Sequence, residues 1–312
     1  MRLLFALAIG VTLCFARFDY VRPAPRTIEV AKGVYVFVSP PYGEVGLDGN
    51  AVAILSRDGV LVFDSNGTPA ASAAVLAEIR KLTDRPVRYV VNSHWHWDHW
   101  YGTETYTRAF PDVKIVAHEK TRAMMAGPAI EFNRPGLETQ LPGYVASLEK
   151  RAAAEPRLQP ALEETRFFLE QKKNARLVLP AITYKDRLDL TLGERTIHVR
   201  HHDRAVTPGD SFLYLPAEKI VVAGDLVVNP VPFALSSYPT GWLRTLEHID
   251  ALDAAVIVTG HGEPLRDKTR LRAHIAVMRA LLNGGREAKA RGLDPDQARE
   301  EVLPRLRDLM VK

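Results

Sequence analysis

Apolar residues along this chain alternate between two spacings, and the alternation predicts its elements. RTIEVAKGVYVFVSP and NAVAILSRDGVLVFDSN carry β-branched and aliphatic residues between Gly, Pro and Asn-Gly turn signals, the pattern of successive strands. TPAASAAVLAEIRKL then spaces Ala, Val, Leu and Ile for one face of a helix opened by Thr68 and Pro69, and PVRYVVNSH returns to strand character. VKIVAHE predicts another short strand. From about residue 121 to 179 the chain turns rich in Ala, Glu and Leu with helical spacing, as an insertion would. The strand pattern resumes in ITYKDRLDLTLGERTIHVRHH, SFLYLPAEKIVVAGD and AAVIVTGHG. Beyond residue 267, KTRLRAHIAVMRALLNGG and DQAREEVLPRLRDLMVK alternate apolar and charged residues at helical spacing.

This order of strands and helices predicts an α/β domain over residues 26–267, a helical insert at about 121–179 and a helical extension over 268–312 packed on the domain. The first residues, MRLLFALAIGVTLCFA, set one Arg before an apolar run that suits a signal peptide and is short for a membrane span. A leader over residues 1–16 is therefore expected, with a periplasmic or secreted protein and no stable membrane insertion after its removal. A lipid anchor on Cys14 is the weaker alternative, because bulky Leu13 precedes it.

Composition changes the picture in two ways. Cys14 is the only cysteine, so a mature chain without the leader has no thiol, and any metal must be held by His and carboxylates. The 41 Lys+Arg and 37 Asp+Glu are interspersed, so no basic stripe for nucleic acid appears and nucleic acid is not an expected partner.

The chemistry is concentrated in HWHWDH. His94, His96, Asp98 and His99 fall within six residues just past a strand's C-terminal end, where open α/β sheets form ligand sites. Imidazole and carboxylate together suit Zn2+, as one or two ions, or a similar divalent cation. Two further strand ends deliver Asp225, in VVAGD, and His261, in VIVTGH.

The order HxHxDH, TPGD, GDL and GHG resembles the metallo-β-lactamase superfamily of zinc hydrolases, over roughly Arg26 to Asp267 apart from the insert. That resemblance implies a four-layer αβ/βα sandwich with a metal centre at one edge. It implies a first metal site with His94 and His96, a second with Asp98, His99 and His261, and Asp225 between them. Asp64, at the end of VLVFD, resembles a buried carboxylate that orients ligands, although a plain turn or capping Asp has the same sequence appearance.

The departure from the family pattern is AVTPGD, where Val206 stands in place of the third His of the first site. Three outcomes stay open: one metal at the second site, two metals with His201 or His202 as the replacement ligand, or a metal- or ligand-binding protein that has lost hydrolysis. The implied reaction is attack of metal-activated water on a carbonyl substrate, with Asp98 holding or accepting the water's proton. The partner that the resemblance implies is therefore a small-molecule substrate, for which a lactone, ester, thioester or β-lactam fits. The bridging Asp and the missing thiol point to the glyoxalase and lactonase branch rather than to β-lactamases with a Cys ligand. Trp95, Trp97 and Trp100 either pack the loop or wall the substrate, the insert and NPVPFALSSYPTGW are expected to complete the pocket, and Arg204 and Tyr238 are candidate contacts.

Overall fold

Among the described residues twelve strands form two sheets, and each sheet's order follows from the length of its connections. The computed structural model describes residues 20–230, 233–234 and 236–310; the expected leader at 1–16 lies outside them. In the first sheet, β1 (Arg26–Ala31), β2 (Val34–Val38), β3 (Ala51–Ser56) and β4 (Gly59–Phe63) run antiparallel. Gly33, at φ 74°, closes the two-residue turn between β1 and β2, a left-handed position that a residue without Cβ takes without strain.

Helix α1 (Pro69–Leu82) then carries the chain over to β5 (Val87–Val91), which lies parallel to β4. The Thr68 side chain accepts from the Ala71 amide at the helix start, and Pro69 occupies the first turn, where no backbone donor is needed. A 3-10 turn at Trp97–His99 and α2 (Thr103–Ala109) lead to β6 (Lys114–His118), again parallel. Between β6 and the last strand of this sheet, β7 (Ile182–Tyr184), the chain is helical: α3 (Glu119–Met125), α4 (Pro128–Pro135), α5 (Leu141–Ala154) and α6 (Gln159–Asn174).

The second sheet has five strands. β8 (Arg187–Leu192), β9 (Arg195–Arg200), β10 (Phe212–Leu215) and β11 (Ile220–Gly224) pair antiparallel, and β12 (Val256–Thr259) joins β11 in parallel after α7 (Pro239–Ala251). Helices α8 (Thr269–Ala290) and α9 (Pro295–Met310) follow.

Alternation along the strands decides the layering. Val36, Ile54, Leu61 and Phe63 of the first sheet meet Ile197, Val199, Leu213, Val222 and Val258 of the second in one buried core. The opposite face of the first sheet, with Ala53, Val60 and Val62, buries Val75 and Ile79 of α1 and Tyr106 of α2. Phe212, Val221 and Ile257 do the same against Trp242 and Leu246 of α7 and Leu271 and Ile275 of α8. The result is the four-layer αβ/βα sandwich. Each fully buried aliphatic side chain contributes about 1.5–3 kcal/mol over its exposed state, so the site stands on a stiff support.

β4, β5 and β6 run parallel in the first sheet and β11 and β12 in the second; His94, His96, Asp98 and His99 follow the end of β5, Asp225 follows β11 and His261 follows β12. No helix among the described residues is long and apolar enough to cross a membrane.

Candidate metal centre

The loop after β5 is held from several sides, which fixes its side chains. Ser65 N donates to His99 O at 2.8 Å, Gly49 N to Asp98 O at 3.2 Å and Gly102 N to Asn66 O at 3.1 Å. The Asn92 side chain also donates to His99 O at 3.3 Å. Trp100 Nε1 donates to Trp95 O at 2.9 Å, and both indoles are buried with Tyr101, Met125 and Ala129. Gly49 lies so close to the His99 ring that a Cβ there would stand 2.5 Å from it. Gly260 is tighter still, since a Cβ would meet Asp225 Oδ1 at 2.0 Å.

Two triads result. Ligand atoms of His94, His96 and Asp225 lie within 4.8 Å of one another, and so do those of Asp98, His99 and His261. Asp225 spans them: Oδ2 is 3.7 Å from His94 Nε2, while Oδ1 is 3.2 Å from His99 Nε2 and 3.4 Å from His261 Nε2. Asp98 Oδ2 lies 3.3 Å from His99 Nε2 and 3.1 Å from His261 Nε2.

The donor set fits a divalent cation on a specific ground. Nε2 of His94, His96 and His99 and Oδ1 of Asp225 are buried and make no aligned hydrogen bond. Leaving such groups unsatisfied costs about 1–3 kcal/mol each, so both triads call for a partner that accepts lone pairs. Imidazole nitrogens with carboxylate oxygens are the ligands of zinc and related metals.

Electrostatics divide the six residues. Burial pushes His94 well below the ordinary imidazole range and lowers His96 too, which leaves both rings neutral with a lone pair to give. Burial opposes charge on Asp98 and Asp225, but the His99 and His261 imidazoles outweigh it and hold both carboxyls well below the usual range. Conversely, burial would lower His99 and His261, yet Asp225 and Asp98 raise His99 well above its usual value and lift His261 to about 10. Protons on these two rings are therefore what a cation must displace.

Asp64 connects the triads from behind. Its Oδ2 lies 2.7 Å from His99 Nδ1 and accepts from Ser93 Oγ at 2.7 Å, while Oδ1 accepts from Ser93 N at 2.7 Å. Ser93 Oγ in turn lies 2.8 Å from His94 Nδ1. One buried carboxylate so orients a ring in each triad. Its φ of 61° places a non-glycine residue in the left-handed region, a local cost of the kind that gathers at functional sites.

Known proteins resemble this chain in sequence and fold. Residues 45–261 fit the sequence profile of the metallo-beta-lactamase superfamily. The chain belongs to that superfamily. A linear primary-alkylsulfatase from Pseudomonas sp. (strain ATCC 19151) is 24% identical over 270 residues, which are 80% of this chain and 49% of that protein. The chain thus spans about half the length of this curated relative. Among solved structures, a metallo-beta-lactamase from Pontibacter korlensis is 17% identical with a TM-score of 0.58, over 82% of this chain and 99% of that one. The DIM-1 metallo-beta-lactamase is 15% identical with a TM-score of 0.57, over 82% and 98%. These two likenesses concern the fold. Metallo-beta-lactamase-fold proteins are hydrolases that bind divalent metals, often zinc, and the His and Asp triads supply groups for such binding here.

Within this superfamily member, several expected residues fall elsewhere. Val206 is fully buried in the core beneath α7 and α8 and offers no ligand atom. Neither His201 nor His202 belongs to a triad. His201 Nδ1 is engaged with Asp210 O at 2.8 Å and its ring packs on His118 at 4.1 Å, while His202 stacks on His248 at 4.4 Å. Arg204 and Tyr238 stack on each other at 4.7 Å beside a separate recess with Asp203 and Arg244, away from the cavity over the triads. Trp95, like Trp100, packs inside the loop, whereas Trp97 lines that cavity. NPVPFALSSYPTGW divides: Phe233 reaches the cavity, but Pro239 opens α7, whose Trp242 and Leu246 face the core.

Other contributors carry no motif. Asn50 Nδ2 donates to Thr259 O at 3.0 Å and Gly262 O at 2.8 Å, clamping the turn that presents His261. Asp48 accepts from Gly67 N at 2.7 Å and pairs with Arg22 at 2.6 Å; burial raises its carboxyl to about 7 despite that guanidinium. Lys172 of α6 places Nζ 3.4 Å from the centroid of Trp97, with Tyr101 at 5.0 Å and Phe168 at 5.6 Å. Burial lowers this amine to about 7, against the opposing pull of Asp98 and Asp48.

Proposed function

We propose that this protein is an exported hydrolase with two divalent metal ions, zinc the first choice, acting on a small ester-type substrate. The observation that carries the reading is the pair of triads meeting at Asp225, with buried ring nitrogens of His94, His96 and His99 that make no aligned hydrogen bond. The six groups would hold two cations, which when bound supply a Lewis acid and lower the pKa of water.

The chain's own residues do the rest. Asp98 lines the cavity as an ionised carboxylate and is placed to take the proton of an attacking water. Asp64 and Ser93 keep the His94 and His99 rings from turning, so the site is organised before substrate arrives. Trp95 and Trp100, both buried, close the loop against solvent from below. No Ser or Cys nucleophile is required.

Lactones, esters, thioesters and β-lactams suit attack by water at a polarised carbonyl, and the alkylsulfatase relative adds sulfate esters as a second class, in which water and the ester exchange an S–O or C–O bond instead. The leader-like N-terminus supports delivery to the periplasm or beyond, by cleavage near Ala16 rather than by an anchor on Cys14. The test is turnover by the zinc-loaded protein of nitrocefin, a thioester, an acyl-lactone, a carboxylic ester and an alkyl sulfate, with Asp225→Ala as control. Turnover that disappears in the variant supports the reading; inactivity toward all five overturns it and favours a binding role.

A further inference from the structure

The cavity over the triads, about 330 Å3, has an ionic floor and an apolar wall. His96, Asp98, Asp225 and His261 form the floor; Val45, Leu47, Trp97, Phe132 and Phe233 face it. Three of these are among the few large apolar side chains exposed anywhere in the described residues: Leu47 at 62%, Phe132 at 51% and Phe233 at 55%. They come from three separate segments: the loop before β3, helix α4 of the insert, and the loop after β11. Scattered exposed apolar residues need no explanation, but three converging on one mouth from unrelated parts of the chain mark a binding surface.

The wall is also tied to the ligand loop. Phe132 meets the Trp95 ring edge-on at 5.4 Å between centroids, and Phe233 meets the His96 ring edge-on at 5.9 Å. These contacts hold the aromatic edges in place at the rim while leaving about half of each side chain to solvent. Glu44 and Asn133 are the polar residues on this wall, so a second anionic group near Glu44 is disfavoured and an uncharged tail is favoured.

We propose that the wall binds an uncharged apolar tail, an alkyl or acyl chain, attached to the reacting group. The substrate is then amphiphilic, with its hydrolysable head over His96, Asp98, Asp225 and His261 and its apolar tail along Leu47, Phe132 and Phe233. This assignment rests on the hydrolase reading for what happens to the head, but the tail's binding can be measured without turnover.

Straight-chain alkyl sulfonates from butyl to octyl, which carry an anionic head and have no ester bond to cleave, are titrated calorimetrically into the zinc-loaded full-length protein. Affinity rises about fourfold per added methylene as apolar surface leaves water. Phe132→Ser and Leu47→Ser, each checked for unchanged zinc content, reduce that increment. An affinity independent of chain length, or an increment that survives both substitutions, overturns the proposal. Failure of the hydrolase reading looks different: the increment persists while the matching alkyl sulfates and acyl esters are not turned over.

Discussion

Asp64 Oδ2 lies 2.7 Å from Nδ1 of His99, and that contact determines which ring nitrogen of His99 faces Asp98 and Asp225. With Nδ1 engaged by the carboxylate, Nε2 is the atom that would coordinate a cation, and the ring cannot rotate without breaking a buried charge-assisted bond. Replacing Asp64 with Asn keeps the shape and removes the charge. Zinc affinity of Asp64→Asn should fall about 10- to 100-fold in competition with a chromogenic chelator. Wild-type affinity in that variant would show the contact to be incidental.

Ser93 tests the same network from its other end. Its hydroxyl joins Asp64 to His94 Nδ1, but its backbone amide also reaches Asp64 and survives any side-chain change. Ser93→Ala should therefore weaken zinc binding less than Asp64→Asn does. The same chelator competition ranks the two, and the reverse order would contradict the network.

Proton release follows from the raised imidazoles. Asp225 and Asp98 lift His261 to about 10 and His99 well above its usual value, so near neutral pH the cation displaces protons from both. Zinc affinity should rise with pH through the neutral range. Calorimetric titration at pH 7.0 in buffers of different ionisation enthalpy should register net proton release, and a buffer-independent enthalpy would contradict it.

Lys172 gives a stability prediction of opposite character. Burial lowers its folded-state value to about 7 from the ordinary 10.5 of an exposed amine. Between those values the unfolded chain binds more protons than the folded one, so this group's contribution to stability rises with pH and is least favourable below about 7. Lys172→Met, which keeps the apolar stem against Trp97 and Phe168, should raise Tm more at pH 7 than at pH 9.5. An equal change at both would show that the amine stays charged in the fold.

Much of this architecture was legible in the chain because local signals agreed. Strand runs such as VLVF and VRYVV end on turn residues, α1 begins at a capping Thr and a Pro, and the ligands follow strand ends in a recognisable order. What escaped depends on tertiary packing. In AVTPGD, Val206 stands where the family's third His would, and a replacement by His201 or His202 is one of three outcomes that the sequence leaves open. Val206 instead joins the core under α7, and His201 is turned toward Asp210 O and His118, so Asp225 completes the first triad. Arg204 and Tyr238 suited a polar contact by type, yet their mutual stacking draws them to another recess. Lys172, Phe132 and Leu47 carry no local signal, because only the docking of the insert and the loop before β3 brings them to the cavities beside Trp97.

The central claim is that Asp225 joins two complete metal sites despite Val206. Its most direct test is zinc per chain, measured by elemental mass spectrometry after dialysis against zinc and then against buffer, for the natural protein and for Asp225→Ala. Two equivalents in the natural protein and loss of both in the variant are the result this account predicts. One equivalent in the natural protein, or an unchanged value in Asp225→Ala, would contradict it.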